Sequence, residues 1–305
     1  MSILRLEHVY KSFGKLDVIK DLSFSVSEHA VFGFIGPNGA GKTTTMKMIL
    51  GFLKPDAGEI YVCNEKVIYG NTKTNRYIGY LPDVPEFYGY MRPWEYLQLC
   101  GEISGLSSAK IKDKTDELLH IVGLDGVNRK IRGFSRGMKQ RLGIAQALLN
   151  DPILLICDEP TSALDPIGRK EVLDVLSVVR DKTTVVFSTH ILSDVERICD
   201  SIGVLHQGKV VMQGKLSELK NTYRQESVLI EVEDKSQVSL LEKEIGKLNA
   251  VSQIDVFENS LKVTLNQIDL INNAVLELVI KHNINLKKYE VLEPTLENLF
   301  MELVQ

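Results

Sequence analysis

The sequence lacks any apolar run approaching the roughly 18 to 20 residues that a helix needs to cross a bilayer. Its longest, such as residues 153–157, are short. A chain that spans the membrane by itself is therefore not expected. Apolar continuity is also missing at the N-terminus, where Arg5, Glu7 and Lys11 interrupt the stretch that a secretory signal would need. Cysteine is sparse: Cys63, Cys100, Cys157 and Cys199 lie in unrelated segments without CxxC or His-paired spacing. That disfavours a metal cluster or a disulfide framework and fits a reducing cytoplasm. Positive charge is not in surplus, the formal net charge being -4, so no general attraction to nucleic acid or to an anionic membrane arises. Any membrane link has to be a local docking surface. No internal repeat or low-complexity tract is visible.

What is present suits a packed interior. Of 305 residues, 44% are hydrophobic and 25% charged, enough for one large domain with an appendage. Residues 4–9, 18–26 and 30–35 read as strands, the last running into a glycine-bearing loop from which a helix starts at Lys42. Strand signals at 78–81, 153–157, 184–188 and 202–205 alternate with helical stretches at 109–122, 138–149 and 191–199. Such alternation predicts a parallel sheet flanked by helices. Composition changes near Asn221, after VLHQGKVVMQG, where Gln207-Gly208 supplies turn chemistry between two alternating strands. A boundary there gives domains 1–220 and 221–305. Beyond it, strand 228–233, helix 236–248, hairpin strands 251–257 and 261–265, helix 270–282 and strand 285–291 follow the order βαββαβ of ferredoxin-like folds. A last amphipathic helix, 295–303, presents Leu296, Leu299, Phe300 and Leu303 at helical spacing. The fold class is α/β with a small C-terminal α+β domain.

GPNGAGKTT, residues 36–44, fits G-x-x-x-x-G-K-[ST] and sits between an apolar strand and a helix start, as that motif requires. Along Gly36, Pro37, Asn38, Gly39, Ala40 and Gly41 the backbone can bend so that N–H groups face phosphates, and the helix N-terminus adds a favourable dipole. Lys42 is expected to contact the β- and γ-phosphates of a nucleotide, Thr43 to give Mg²⁺ a hydroxyl ligand, and Thr44 to donate to an α-phosphate oxygen. A bare strand-to-helix turn would not call for Lys and Thr in this register. ILLICDEP, residues 153–160, ends an apolar run in two adjacent carboxylates, as a buried strand does when it delivers acids to the carboxyl edge of a sheet. Asp158 is expected to hold Mg²⁺ and Glu159 to orient or deprotonate the attacking water. These two motifs predict a phosphate-loop NTPase and no more.

The segment between them narrows the class. It contains GFSRGMKQRLGIAQALL, and here the chain resembles an ATP-binding-cassette ATPase over residues 3 to about 220. FSRGMKQR (134–141) looks like that family's signature motif, SALD (162–165) like its D-loop, and His190, after TTVVFST, like its switch histidine. Phe13 stands at the place of the aromatic that stacks on adenine, with Tyr10 as the competing candidate. The resemblance implies that Ser135, Gly137 and Asp165 contact a nucleotide held by a facing copy. Two chains would then sandwich two ATP molecules head to tail in a closed two-fold dimer. A helix N-terminus at Ser135 suits such phosphate contact, although an ordinary capped helix with a basic face (Arg136, Lys139, Arg141) explains the same residues. For His190 the resemblance implies a hydrogen bond to the γ-phosphate and a share in placing the water.

Two positions depart from the family's pattern. After IGYLP the family usually has glutamine, whereas this chain has Asp83. A carboxylate can accept from metal-bound water but cannot donate as an amide does, so Asp83 is either a participant at the metal or an exposed loop acid. Arg136 replaces the usual signature glycine, leaving Ser135 and Gly137 for nucleotide contact. The aromatics that follow, Phe87, Tyr88, Tyr90, Trp94 and Tyr96, fall where family members receive a coupling helix of the membrane subunit, or else pack a helical subdomain. EPTLENLF (293–300) resembles the tail of exporter cassettes whose membrane proteins are separately encoded, including those for antibiotics and lantibiotics.

The resulting expectation is the ATPase subunit of an exporter. It would bind ATP and Mg²⁺, pair with a second copy, and work on the inner face of the cell membrane with transmembrane permease subunits and no nucleic acid. The βαββαβ domain would regulate activity or stabilise the dimer. A soluble cassette ATPase of the ribosome or of a nucleic-acid machine is the alternative. One cassette and no sustained heptads argue against it. A nucleotide-binding module without turnover conflicts with Glu159 and His190.

Overall fold

Buried and exposed side chains alternate along β1 (Ser2–Phe13) and β2 (Leu16–Ser27), as strands with one covered face require. They pair antiparallel and, with β4 (Ala57–Val62) and β5 (Glu65–Lys66), form a four-stranded sheet of order β2-β1-β4-β5. The opening strands thus stand apart from the parallel sheet. The computed structural model describes residues 2–222, 226–248, 251–265, 271–292 and 296–297. The chain divides into two units, Met1–Leu216 and Ser217–Gln305.

The parallel sheet of the first unit contains β3 (Val31–Ile35), β6 (Ile78–Leu81), β7 (Leu154–Asp158), β8 (Thr184–Thr189) and β9 (Ser201–His206). An antiparallel edge strand, β10 (Lys209–Lys215), returns through Gln207 and Gly208, both at positive φ. The order is β10-β9-β3-β8-β7-β6. Every side chain of β3, β7 and β8 is buried, which explains why their apolar residues do not alternate with exposed polar ones. The helices are α1 (Lys42–Ile49), α2 (Pro93–Ile103), α3 (Ser108–Ile121), α4 (Arg136–Leu148), α5 (Pro166–Val179) and α6 (Leu192–Ile198). Phe24 of β2 stacks on Phe32 and Phe34 of β3, with centroids 5.5 and 5.2 Å apart, so the two sheets share one core with Met46 and Ile49 of α1. Neither β4, α2 nor α5 was read from the sequence. For α5 the signal was there: Asp165 caps it and Pro166 opens it, a recognised start pair.

Strand order positions the site. Because β8 lies between β3 and β7, Ile35 pairs with Thr189, and Ser188 with Asp158. Because β6 flanks β7, Leu81 pairs with Cys157. Four loops from distant parts of the chain, after β3, β6, β7 and β8, therefore leave the same carboxyl edge.

After α7 (Leu216–Thr222), the second unit runs β11 (Glu226–Val232), α8 (Val238–Ile245), β12 (Val251–Val256), β13 (Ser260–Leu265), α9 (Ile271–Lys281) and β14 (Leu286–Leu292). Its antiparallel sheet, ordered β12-β13-β11-β14, has its own core of Val228, Ile230, Leu241, Ile245, Val263 and Val275. The helix expected over 295–303 lies outside the described residues except for 296 and 297, where Leu296 is buried.

Candidate functional site

At the end of β3 the backbone turns through residues 36–41 into α1. Gly41 sits at φ 110°, where a Cβ would lie 2.5 Å from Ile19 Cδ1 and 3.3 Å from Val18 O, so only glycine fits. Lys42 is buried and donates from Nζ to Gly36 O at 2.6 Å and Pro37 O at 3.2 Å. The loop thereby wraps its own ammonium. Buried Thr45, which sequence reasoning missed, donates Oγ1 to Gly41 O at 2.9 Å and anchors the first helical turn.

The acidic pair ends β7. Asp158 is buried and accepts from Ser188 Oγ at 2.6 Å. Glu159 has φ 49°, an uncommon conformation for a residue other than glycine, found where surroundings over-determine the backbone. Its N–H donates to Ser188 O and Oγ, each at 3.1 Å. Ser188 is a second residue that sequence reasoning missed; its signal was a hydroxyl inside a fully buried strand. The Glu159 side chain is 13% exposed, with Oε1 3.1 Å from Lys42 Nζ and Oε2 2.9 Å from His190 Nδ1. One carboxylate thus stands between an ammonium and an imidazole, each contributed by a different strand end.

Asp83 follows β6 into the same cleft, with Arg136 Nη2 3.4 Å from its Oδ1. Partial burial, reinforced by Asp158 and Glu159, pushes its carboxyl above the usual carboxylate range, and Arg136 pulls it back. The cleft, about 520 Å³, is lined by Asn38, Gly39, Gly41, Lys42, Thr43, Thr44, Asp83, Glu159 and His190, together with Val18 and Ser162. That volume falls within the roughly 300–1,000 Å³ typical of small-molecule sites. Among the described residues no three His, Cys, Asp or Glu side chains form a metal cluster. Thr43, Asp158 and Asp83 instead offer oxygen donors, the set suited to Mg²⁺, which keeps several waters and uses few protein ligands.

Other residues singled out in the sequence do not line this cleft. Ala40 is buried within the loop. Phe13 is 50% exposed with Lys11 Nζ 5.4 Å from its ring centroid, while Val18 takes a place in the cleft wall. Ser135 caps α4 by accepting from Met138 N at 3.2 Å. Asp165 caps α5 by accepting from Gly168 N at 3.3 Å. Gly137 permits close approach of the two helices, since a Cβ there would be 3.3 Å from Gly168 Cα. Behind these caps, buried Asp194 accepts from Thr161 Oγ1 at 2.6 Å and pairs with Arg169. The aromatics divide: Tyr96 is buried, edge-on to Phe87 at 5.1 Å, whereas Tyr88, Tyr90 and Trp94 are exposed.

A family model described as ABC transporter matches residues 19–162, and one described as the C-terminal domain of ATP-binding protein DrrA1-3-like matches residues 214–304. The ABC transporter ATP-binding protein YxlF of Bacillus subtilis is 38% identical over 99% of both chains. The bacitracin transport ATP-binding protein BcrA of Bacillus licheniformis is 33% identical over 99% of this chain and 97% of its own. Among solved structures, an ATP-binding subunit of an ABC transporter superposes with TM-score 0.65 at 32% identity, covering 72% of this chain and 93% of that one. A dimeric post-hydrolysis ATP-binding cassette bound to ADP and Pi superposes with TM-score 0.62 at 28% identity, covering 70% and 98%.

Proposed function

The chain belongs to the ABC transporter ATP-binding proteins, and from that premise we propose how its residues hydrolyse ATP and what the hydrolysis drives. The observation that carries the reading is Glu159, held between Lys42 and His190 at the mouth of the phosphate loop. Phosphate oxygens draw the Lys42 ammonium away from Glu159, because a polyanionic phosphate attracts it more strongly than one carboxylate does. Glu159, kept in place by His190 and by Ser188 behind its backbone, then accepts the proton of the attacking water. As oxygen bonds to the γ-phosphorus, the bond to the ADP oxygen breaks in line, and His190 steadies the γ-phosphate. Thr43, Asp158 and Asp83 would hold Mg²⁺, which would supply positive charge against the negative phosphates. The remaining phosphate contacts come from the loop backbone at residues 36–41 and from Thr44.

Steady-state hydrolysis by Glu159→Gln tests this assignment. The substitution should lower kcat by at least about 100-fold, as loss of a general base does, while ATP still binds. Undiminished turnover would refute the role of Glu159.

We further propose that two copies close head to tail over two ATP molecules, each supplying Ser135, Gly137 and Asp165 to the other's nucleotide, with Phe13 or Tyr10 near adenine. Three observations support this: these residues do not line the cleft of their own chain, Ser135 and Gly137 sit at the N-terminus of α4, which suits phosphate, and a related cassette forms a dimer. Among the described residues no helix is long and apolar enough to cross a membrane; the likeness to transport ATP-binding proteins supports a separately encoded permease that carries the cargo and holds this subunit at the inner face of the membrane. Exposed Tyr88, Tyr90 and Trp94 are the proposed contact surface. Export is the direction favoured by full-length relatives named for bacitracin transport and linearmycin resistance. Those relatives also disfavour a ribosomal or nucleic-acid role. Residues 221–305 serve as an accessory domain that regulates the cycle or stabilises the dimer.

A further inference from the structure

Asp83 and Arg136 each stand in an electrostatically poor position when taken alone. Asp83 shares its surroundings with Asp158 and Glu159, both of which oppose its charge. Arg136 is the first residue of α4, where the helix dipole presents its positive end and disfavours a cation. They are 53 residues apart in sequence, yet Arg136 Nη2 reaches to 3.4 Å from Asp83 Oδ1. Each supplies the countercharge that the other's position lacks.

A second contact joins the same two elements. Gln140, fully buried, donates Nε2 to Asp83 O at 2.5 Å. Positions four apart share a helix face, so one face of α4 holds Asp83 by both its carboxylate and its carbonyl. Gly143 extends that contact, since a Cβ there would lie 2.5 Å from Leu81 Cδ1 and 3.3 Å from Pro85 Cβ. The segment from Leu81 to Pro85 is therefore seated on α4. Side-chain exposures of 43% for Arg136 and 47% for Asp83 make the ion pair a minor contributor to folding. Its consequence is direction: it aims a cleft carboxylate.

We propose that Arg136 is a positioning residue which, with Gln140, orients Asp83 in the ATP cleft and so ties that cleft to the N-terminus of α4, the end that meets the other copy's nucleotide. The inference rests on the reading of Asp83 as a cleft ligand and of Ser135 and Gly137 as partner-facing. Nucleotide binding at Asp83 then pulls on α4, and closure over α4 repositions Asp83. Both ends of one helix-and-loop unit report on ATP, one for each copy's site.

Steady-state ATPase kinetics and melting temperatures of the full chain test it in five forms: unaltered, Arg136→Met, Arg136→Lys, Asp83→Asn and the Met/Asn double variant. Arg136→Met should lower kcat roughly three- to tenfold, in line with coupling between contacting residues. KM for ATP should stay within about twofold and the melting temperature should be unchanged, since the pair contributes little to folding. Arg136→Lys should recover at least about half of the lost kcat because it keeps the charge. The double variant should be no slower than the slower single variant, because Arg136 has nothing to aim once the carboxylate is gone. Losses that multiply in the double variant, or an unimpaired Arg136→Met, would overturn the proposal alone. An Asp83→Asn protein that hydrolyses ATP at the unaltered rate would overturn the cleft role of Asp83 and the proposal with it.

Discussion

Lys42 is surrounded by acceptors, two loop carbonyls and one oxygen of Glu159, at 2.6, 3.2 and 3.1 Å. A buried ammonium so placed is oriented before any phosphate arrives. Lys42→Ala should weaken ATP binding by about 100-fold, given roughly 1.5–3 kcal/mol for hydrogen bonds to charged groups; titration of a fluorescent nucleotide measures this, and unchanged affinity would remove Lys42 from the site. Gly41→Ala tests the loop backbone. Its φ of 110° and the 2.5 Å approach to Ile19 Cδ1 leave no room for a methyl group, so binding should fall and stability should drop by about 1–3 kcal/mol.

At the scale of elements, Asp194 joins three parts of the sheet's carboxyl edge. It accepts from Thr161, two residues beyond Glu159, pairs with Arg169 of α5, and belongs to α6, which begins just after His190. Removing one partner of a buried ion pair leaves the other uncompensated, which costs about 3 kcal/mol or more. Asp194→Ala should therefore lower the melting temperature by roughly 5–10 °C and reduce hydrolysis as well, whereas Asp194→Asn, which still accepts from Thr161, should lose less. Equal melting temperatures for both variants and the unaltered chain would contradict this role. Helix caps belong to the same scale. Ser135 and Asp165 each hold a helix start within their own chain, so Ser135→Ala should show a loss of about 1 kcal/mol in stability even in isolated, nucleotide-free protein.

For the whole molecule, the proposed dimer makes a measurable demand. Light scattering of the Glu159→Gln protein should report a monomer without nucleotide and a dimer with ATP and Mg²⁺, because closure depends on ligands shared between copies. A monomer under both conditions would contradict the shared site. In detergent extracts of cells that produce it, the tagged chain should retain a polytopic membrane protein, and substitution of Tyr88 and Tyr90 by Ser should weaken that retention if the exposed aromatics form the contact.

The sequence by itself determined the chemistry. GPNGAGKTT and ILLICDEP carry their function in the spacing of neighbouring residues along one strand-and-loop unit, and such local patterns survive without knowledge of the rest of the fold. The βαββαβ order after residue 225 was equally legible, because hydrophobic periodicity is also local. Only the tertiary structure decided which strand lies beside which. β3, β7 and β8 are all fully buried strands with nothing in them to name a neighbour, and it is the placement of β8 between the other two that brings Lys42 and His190 to within 3.1 Å of Glu159. Ser188 and Asp194 were missed for the same reason: their partners are 30 and 33 residues away. Asp83 and Arg136, two separate irregularities in the sequence, became one ion pair only when β6 and α4 packed together, since an approach across 53 residues depends on chain packing rather than on any pattern within either segment.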